Sequence, residues 1–303
     1  MDRLHAMKIL VRIAETGGFA ETARQLGLSP PAVTRAIAAL EDRVGARLLI
    51  RTTRSVKLTE AGQRLVEDSR RILAAVDEAE AAAAGSFGRP TGVLTVTSSV
   101  LFGQLYVVPL LCEFLDNFPE VTGRLLLLDR VTNLIDEGID LAIRIGHLAD
   151  SGLTATRVGQ VSRMVCGSPD YFARHGEPLH PADLARHRII AATSVSATQD
   201  WRFGTPQRPG VTVKPALHCN TIEAAIIAAR AGWGLTRVLS YQIAPDLAAG
   251  RLQATLVDFE EEAMPIHIVH AQGRTAAAKV RAFADFAAMR LRANRLLNPA
   301  SHA

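Results

Sequence analysis

The most constraining feature of this chain is a helical apolar stripe that begins with two consecutive prolines. Residues 27–45 read GLSPPAVTRAIAALEDRVG, and proline is tolerated only in the first turn of a helix, where the N–H groups have no internal partner. We therefore expect Ser29 to be the N-cap, and Pro30 and Pro31 to be the first two helical residues. The stripe consists of Val33, Ile37, Leu40 and Val44, at helical spacing.

Two shorter helices are predicted before this one, over about 4–14 and 20–26, with glycines between all three. Short helices joined by a tight glycine-containing turn are typical of a helix-turn-helix. In that motif the second helix, here the one that begins with the two prolines, is the recognition helix, and its N-terminal residues meet base edges in the major groove. Thr34 and Arg35 offer hydrogen-bond donors there, and Pro31 offers only van der Waals surface. The alternative is an ordinary solvated helix face.

The segment ARLLIRTTRSVKLT, residues 46–59, predicts a β-hairpin wing with a basic tip. Cations at such a tip lie along DNA phosphates or in the minor groove. The first 59 residues carry ten Lys and Arg against five Asp and Glu, whereas the remaining 244 residues are almost neutral. This asymmetry favours a nucleic-acid-binding head. The predicted DNA-binding residues are Ser29, Pro30, Pro31, Thr34, Arg35, Arg51, Thr53 and Arg54.

The run from residue 20 to residue 62 resembles the winged helix-turn-helix head of the LysR-type transcriptional regulators. That resemblance implies a regulator that binds promoter DNA. The chain departs from the family at Ala20, where a hydroxyl residue usually caps the second helix, and at Pro31 and Thr34. The matching positions are Ala23, Leu26, Ser29, Val33, Arg35, Ile37, Leu40, Glu41, Gly45, Leu48, Leu49, Arg51, Arg54, Leu58, Thr59, Ala61 and Gly62.

A winged helix-turn-helix domain is predicted over residues 1–59, and a long helix follows it over residues 60–84. Its apolar seam alternates by fours and threes, as in a coiled coil, which favours pairing with the same helix of a second copy. The alternative is packing against the chain's own body. The seam residues are Leu65, Ser69, Ile72, Val76, Ala79 and Ala83. Residues 85–91, rich in glycine, predict a hinge.

Residues 92–303 alternate predicted strands and helices, which indicates βαβ units, a parallel sheet and an α/β body. A short helix is expected over about 131–138 and a final helix over about 275–297. The LysR resemblance continues through this part and implies a periplasmic-binding-protein-like domain with two lobes. Lobe I would span about 92–163 and 265–303, and lobe II about 164–264. The predicted fold is therefore an α-helix-rich winged head, a long linker helix and a two-lobed α/β domain.

Ligands of open α/β sheets bind beyond the carboxyl ends of the strands, close to helix N-termini. Helix N-termini and an arginine at such an edge favour a small organic anion as the effector. The alternatives are that the polar residues cap helices or form internal ion pairs, and that the tryptophans are core residues. The candidate effector-binding residues are Ser98, Ser99, Arg144, Gly146, Thr193, Ser194, Trp201, Asn220, Thr221 and Trp233.

Several other classes of site are disfavoured by composition. The three cysteines are too few and too far apart for a disulfide framework or a cysteine-rich zinc site, although a redox pair stays open. His267 and His270 lie three apart on a predicted strand and so on opposite faces, which argues against a metal pair. We predict no metal and no cofactor. No apolar run approaches the roughly 20 residues of a membrane span, and the charged N-terminus predicts a cytoplasmic protein without membrane partners.

The leading functional hypothesis is a DNA-binding regulator that self-associates as a dimer or tetramer and responds to a small-molecule effector. A second hypothesis is a DNA-binding protein whose body only oligomerises. The third is an enzyme with a docking head, but the sequence shows no phosphate-binding glycine loop and no GxSxG nucleophile elbow.

Overall fold

The computed structural model describes residues 2–51, 56–83, 89–148, 152–192, 200–204, 210–271 and 277–298. The chain divides into two compact units, Met1–Gly88 and Arg89–Ala303. We call them the head and the body and describe each by itself.

The head contains three helices, a two-stranded antiparallel sheet and a long helix. Its core is formed by the first three helices together with residues of the wing and the first turns of the long helix. The elements are α1 (Arg3–Thr16), α2 (Phe19–Gln25), α3 (Pro30–Val44), β1 (Leu49–Arg51), β2 (Val56–Leu58) and α4 (Glu60–Ala83).

Helix α3 begins where the two prolines require. Ser29 is the N-cap in an extended conformation and Pro30 is the first helical residue, but the Ser29 side chain makes no capping hydrogen bond. Of the predicted stripe, Val33, Ile37 and Leu40 are buried, whereas Val44 is 46% exposed at the helix end. The stripe therefore stops one turn earlier than expected.

The expectation that Ala20 occupies a capping position is wrong. Helix α2 begins at Phe19 with Gly18 as its N-cap, so Ala20 is the second helical residue. The hydroxyl of Thr22 donates to the carbonyl of Gly18 at 2.8 Å and is hydrogen-bonded to the hydroxyl of Thr16. These bonds join α1 to the start of α2 without a capping side chain.

The first turns of α4 are part of the head's own core. Thr59 caps the helix, with its Oγ1 accepting from the amide of Gly62 at 2.9 Å. Ser69, predicted to lie on an intermolecular seam, is fully buried in a single chain, on the helix that packs against α1. Leu65 packs against the same core. The buried Ser69 is not accessible to a second copy, whereas Leu65 is half-buried and Ile72 is 41% exposed. The side chains of Ala79 and Ala83 lie outside the described residues.

The body contains two five-stranded mixed sheets. The strands of the body are β3 (Gly92–Ser98), β4 (Val121–Leu127), β5 (Leu141–Ile145), β6 (Leu153–Val161), β7 (Arg163–Gly167), β8 (Ile189–Ala192), β9 (Asp200–Trp201), β10 (Val211–Thr212), β11 (Pro215–Cys219), β12 (Leu235–Leu239), β13 (Gln253–Thr255) and β14 (Met264–Ala271). Sheet I has the order β4-β3-β5-β14-β6 and sheet II the order β11-β8-β12-β7-β13.

The expectation of a wholly parallel sheet is only partly met. Strands β4, β3 and β5 are parallel, as are β11, β8 and β12, but β14, β6, β7 and β13 add antiparallel pairings. The reason is the connection between the sheets. The chain leaves sheet I at Val161, enters sheet II at Arg163, and returns to sheet I at Met264.

The helices of the body pack on both sheets. They are α5 (Val100–Phe102), α6 (Val108–Asn117), α7 (Pro169–His175), α8 (Ile222–Arg230), α9 (Ser240–Ala248) and α10 (Ala278–Ala293), and a π-helical turn, Gly103–Val107, joins α5 to α6. Residues 134–138 form turns rather than the predicted helix, and α10 ends at Ala293, earlier than expected.

The segment Val100–Asn117 is long and apolar enough, by length and composition alone, to span a membrane. Its side chains Phe102, Val107 and Phe114 are fully buried in the core of sheet I. The segment thus contributes side chains to the core of the body.

Candidate functional site

The predicted DNA-contacting face of α3 is solvent-exposed. Pro31 and Arg35 are exposed and Thr34 is half-buried, on the side of the helix opposite the buried Val33 and Ile37. Ser29 and Pro30 are exposed at the helix start. This face is therefore free to contact another molecule.

The wing is a β-hairpin, as predicted, with Leu49 paired to Leu58. Arg51 is in the first strand, while Thr53 and Arg54 lie outside the described residues, as does the side chain of Arg51. Glu41 fixes this hairpin to α3, because its Oε1 accepts from the amides of Leu48 at 2.7 Å and Leu49 at 3.1 Å. The wing and α3 are thereby joined by hydrogen bonds as well as by their shared core.

The body contains a cavity of about 540 Å³ that is lined by residues of both sheets. Its polar rim comes from the ends of β3 and β5 and from the segment after β4. Its apolar walls include Leu101, Ile143, Ile222, Leu239 and Met264. A volume of this size accommodates a small organic molecule.

The N-terminus of α5, expected to attract an anion, already holds a carboxylate of the chain. Oδ1 of Asp129 accepts from the amide of Val100 at 3.0 Å. Ser99 makes no capping bond. Tyr241 also lines the cavity, and burial raises its pKa to about 12. Tyr241 consequently stays neutral at physiological pH.

Three arginines line the cavity, and two of them are paired with carboxylates. Arg130 forms a bidentate pair with Glu137 at 2.9 and 2.6 Å, and Arg163 pairs with Glu261 at 3.1 Å. Within the described parts of the body, Arg144 has no acidic partner, and its guanidinium donates to the carbonyl and hydroxyl of Thr132. Arg144 is thus the uncompensated cation of the cavity.

Ser98 is 4% exposed and lies in the cavity wall. Its Oγ has no hydrogen-bond partner among the described residues. A buried hydroxyl without a partner costs about 1–3 kcal/mol. A ligand atom in the cavity would satisfy it.

Of the other predicted effector residues, those that the structure describes are not in the cavity wall. Gly146 is adjacent to the lining residues Ile145 and His147, and its amide donates to the carbonyl of Pro265 at 2.8 Å. Thr221 caps α8, and its neighbour Asn220 is exposed. Neither is in the cavity wall, although Ile222 is.

Both tryptophans pack in the core of the second sheet rather than at the cavity. Trp201 is buried in one hydrophobic cluster and Trp233 packs against another. Arg237 lies over the Trp201 ring, and Arg188 over the Trp233 ring. Thr193 and Ser194 lie outside the described residues.

Sequence reasoning missed eight polar residues of the cavity. Asp129 lies two residues after the end of β4, so the strand-end rule that selected Ser98 would have found it. His147 follows β5 at the same edge, whereas Thr132, Tyr241 and Gln242 come from a turn and a helix start with no comparable signal. Thr97, Arg130 and Arg163 also line the cavity and were not predicted either.

A second polar cluster lies beside the two segments that connect the sheets. Glu261 pairs with Arg163 and, at 2.8 Å, with Arg237. The Arg237 side chain is 9% exposed, and burial lowers its pKa to about 10. Ser162 and Ser240 exchange hydrogen bonds at the first crossing.

Within the described ranges, no group of three or more His, Cys, Asp or Glu side chains is arranged to hold a metal ion. His267 and His270 lie on β14, and Nδ1 of His267 is buried without a hydrogen-bond partner among the described residues. The three cysteines are free thiols.

Comparison with known proteins identifies both units. Residues 4–63 match the profile of the bacterial regulatory helix-turn-helix protein, lysR family, and residues 87–292 match that of the LysR substrate binding domain. An HTH-type transcriptional regulator of Xanthomonas campestris is 36% identical, over 93% of this chain and 84% of its own. An HTH-type transcriptional repressor of Pseudomonas aeruginosa is 31% identical, over 94% of this chain and 91% of its own.

The solved structure of CrgA, a LysR-type transcriptional regulator from Neisseria meningitidis, superposes with a TM-score of 0.61. It is 28% identical to this chain and is covered to 98%, with 95% of this chain covered. The relatives are transcriptional regulators, not enzymes. The predicted winged head and two-sheet α/β body are confirmed, and the chain belongs to the LysR family of transcriptional regulators.

Proposed function

We propose that this regulator binds promoter DNA through α3 and the wing, and that a small carboxylate compound in the body's cavity modulates that binding. The observation that carries the ligand proposal is Arg144, a cation in the cavity wall without a carboxylate partner in the described body. Desolvated arginine pairs strongly with carboxylates. The protein would act in the cytoplasm, where its DNA is.

The DNA-contacting residues are proposed from their exposure and position. Arg35 would contact a guanine or a phosphate and Thr34 would donate a hydrogen bond, whereas Pro31 would contribute only apolar contact. The proposed contacts are Ser29, Pro30, Pro31, Thr34, Arg35, Arg51, Thr53 and Arg54.

The effector-binding proposal keeps Ser98, Ser99 and Arg144 from the predicted set, since these line the cavity. A ligand that prefers one arrangement of the two sheets would shift the population of body conformations and so the placement of the heads. Self-association would use the exposed part of α4 from Ile72 onward, with Val76. Residues 60–84 would then be the dimerisation helix and 85–91 the hinge.

The test uses the full-length chain. Fragments selected from genomic DNA of the source organism are footprinted, and binding is measured with and without a panel of carboxylate metabolites. We expect at least one carboxylate to change DNA affinity or the footprint. An Arg144→Gln variant should keep basal DNA binding and lose the response.

An Arg124→Gln variant is the matched control, because Arg124 is an exposed residue of β4 outside the cavity wall. It should retain the response. If no carboxylate changes either DNA binding or the melting temperature, the body has no effector of this class, and the reading in which it only oligomerises is favoured.

A further inference from the structure

The cavity contains one uncompensated charge of each sign. Arg144 is the cation; the anion is Asp129, which forms no ion pair in the described body and accepts only from the amide of Val100. We propose that the effector is a zwitterion of the amino-acid class, with its carboxylate at Arg144 and its ammonium at Asp129 and Ser98. This inference rests on the proposed function and names the ligand class of the same site.

Asp129 determines what the α5 end of the cavity will accept. The amide of Val100 and the positive end of the helix are already bound to this carboxylate. A second carboxylate there would be repelled by Asp129 in a partly desolvated site. A purely anionic ligand can therefore use only the Arg144 side, whereas an ammonium group gains a direct ion pair with Asp129.

Ser98 supplies an independent observation at the same place. Its buried Oγ has no partner among the described residues, and Ser98 is paired with Leu127 of β4, two residues before Asp129. A hydroxyl oxygen accepts from an ammonium group. The three N–H donors of one ammonium group can be shared between the hydroxyl oxygen of Ser98 and the carboxylate of Asp129.

The two charges are close enough for one small molecule. Arg144 donates to the carbonyl of Thr132, and Thr132 is three residues after Asp129 in the chain. Three extended residues span at most about 11 Å. A ligand whose carboxylate and ammonium are separated by a few bonds fits between the ionic side chains.

The apolar part of the cavity wall determines which side chain the ligand carries. Leu101, Ile143, Ile222, Leu239 and Met264 are apolar and line the cavity. Burying a leucine- or phenylalanine-sized side chain against such a surface contributes roughly 1.5–3 kcal/mol. We therefore expect amino acids with apolar side chains to bind better than polar ones.

The experiment compares matched compounds on the full-length protein by calorimetry and melting temperature. The probes are L-leucine and L-phenylalanine, their analogues without the amino group (4-methylpentanoate and 3-phenylpropanoate), and those without the carboxylate (isoamylamine and phenethylamine). We expect at least one amino acid to bind at least tenfold more tightly than both of its analogues.

Asp129→Asn keeps an oxygen that can accept from the amide of Val100 but removes the charge. In this variant the amino acid and its deaminated analogue should bind within about twofold of each other. Ser98→Ala should weaken the binding of the amino acid and leave the affinity for the deaminated analogue unchanged. Asp116→Asn, an exposed acid on α6, is the control and should keep the tenfold preference.

Two results overturn the inference and are distinguishable. If carboxylates bind through Arg144 but the amino group adds nothing, the zwitterion is wrong and the proposed function stands. If none of these compounds binds, the amino-acid class is wrong; if the wider carboxylate panel also fails, the proposed function fails with it.

Discussion

Replacing Glu261 by glutamine is expected to destabilise the body by about 3 kcal/mol, because it leaves Arg237 buried without a countercharge. The Arg237 side chain is 9% exposed and would retain the carbonyl of Arg202 and the faces of Trp201 and Phe203. Breaking one partner of a buried pair costs about 3–5 kcal/mol. The retained carbonyl and ring contacts place the expected loss at the lower end.

For a unit of this size, a loss of about 3 kcal/mol corresponds to a fall of roughly 6–12 °C in melting temperature. Circular dichroism measures the melting temperature, and chemical denaturation measures the free energy of unfolding. Burial lowers the pKa of Arg237 to about 10. A base whose pKa is lower in the folded state than in the unfolded state reduces the free energy of unfolding while it is charged. That cost is complete below pH 10 and is relieved only as pH rises above it. The effect of the Glu261→Gln substitution should therefore be constant between pH 6 and 8.

A double-mutant cycle decides whether the charge of Arg237 is responsible. Arg237→Met alone should change stability by less than about 1 kcal/mol, because Glu261 keeps its pair with Arg163 at 3.1 Å. In the Arg237→Met background, Glu261→Gln should cost less than about 1 kcal/mol of stability. The difference from its cost of about 3 kcal/mol in the unchanged protein is a coupling energy of about 2 kcal/mol. Equal costs of Glu261→Gln in both backgrounds would refute the reasoning.

Four further predictions concern the head and the pH response. Gly62→Ala should unfold the head despite the better helix propensity of alanine, because the added Cβ would lie 2.1 Å from a backbone carbonyl oxygen; circular dichroism should show Gln63→Ala, an exposed neighbour, to be neutral. Arg35→Ala should weaken specific DNA binding by roughly 1–3 kcal/mol in an anisotropy titration, and a loss equal for specific and random DNA would limit it to a phosphate contact. Pro31→Ser should preserve folding and change sequence preference in a binding-site selection; an unfolded head would contradict the placement of the helix start. Burial, followed by the nearby positive charges, lowers the pKa of His267, so stability should fall as pH drops from 6.5 through that lowered pKa, and His267→Asn should reduce the fall in melting temperature; an unchanged pH profile would contradict this.

Local patterns predicted the helices and the wing well because each depends on a few neighbouring residues. The prolines after Ser29 fix the start of α3 through the geometry of one turn, and the alternation in VKL gives β2. The mixed sheets were not predictable in the same way. Strand β14 is antiparallel to β5 because it returns from the second sheet, and nothing in MPIHIVHA distinguishes that direction from a parallel one.

The candidate site was predicted only where a strand end contributed the residue. Ser98 and Arg144 follow that rule and line the cavity. Trp201 was selected for its aromatic ring, but the ring is buried beneath Arg237, and such packing depends on residues distant in the chain. Tyr241 enters the cavity from the start of α9, across the crossing between the sheets, and no spacing rule anticipates it.

The hydrogen bonds from Leu48 and Leu49 to Glu41 have a consequence for regulation. They join α3 and the wing into one unit, so that the proposed fit of this unit to a single DNA half-site would be set within the head. A signal that arrives from the body can therefore leave each half-site interaction unaltered and still change occupancy, by changing the distance and angle between two such units. Regulated promoters should accordingly differ in the spacing of their half-sites more than in the bases within each half-site.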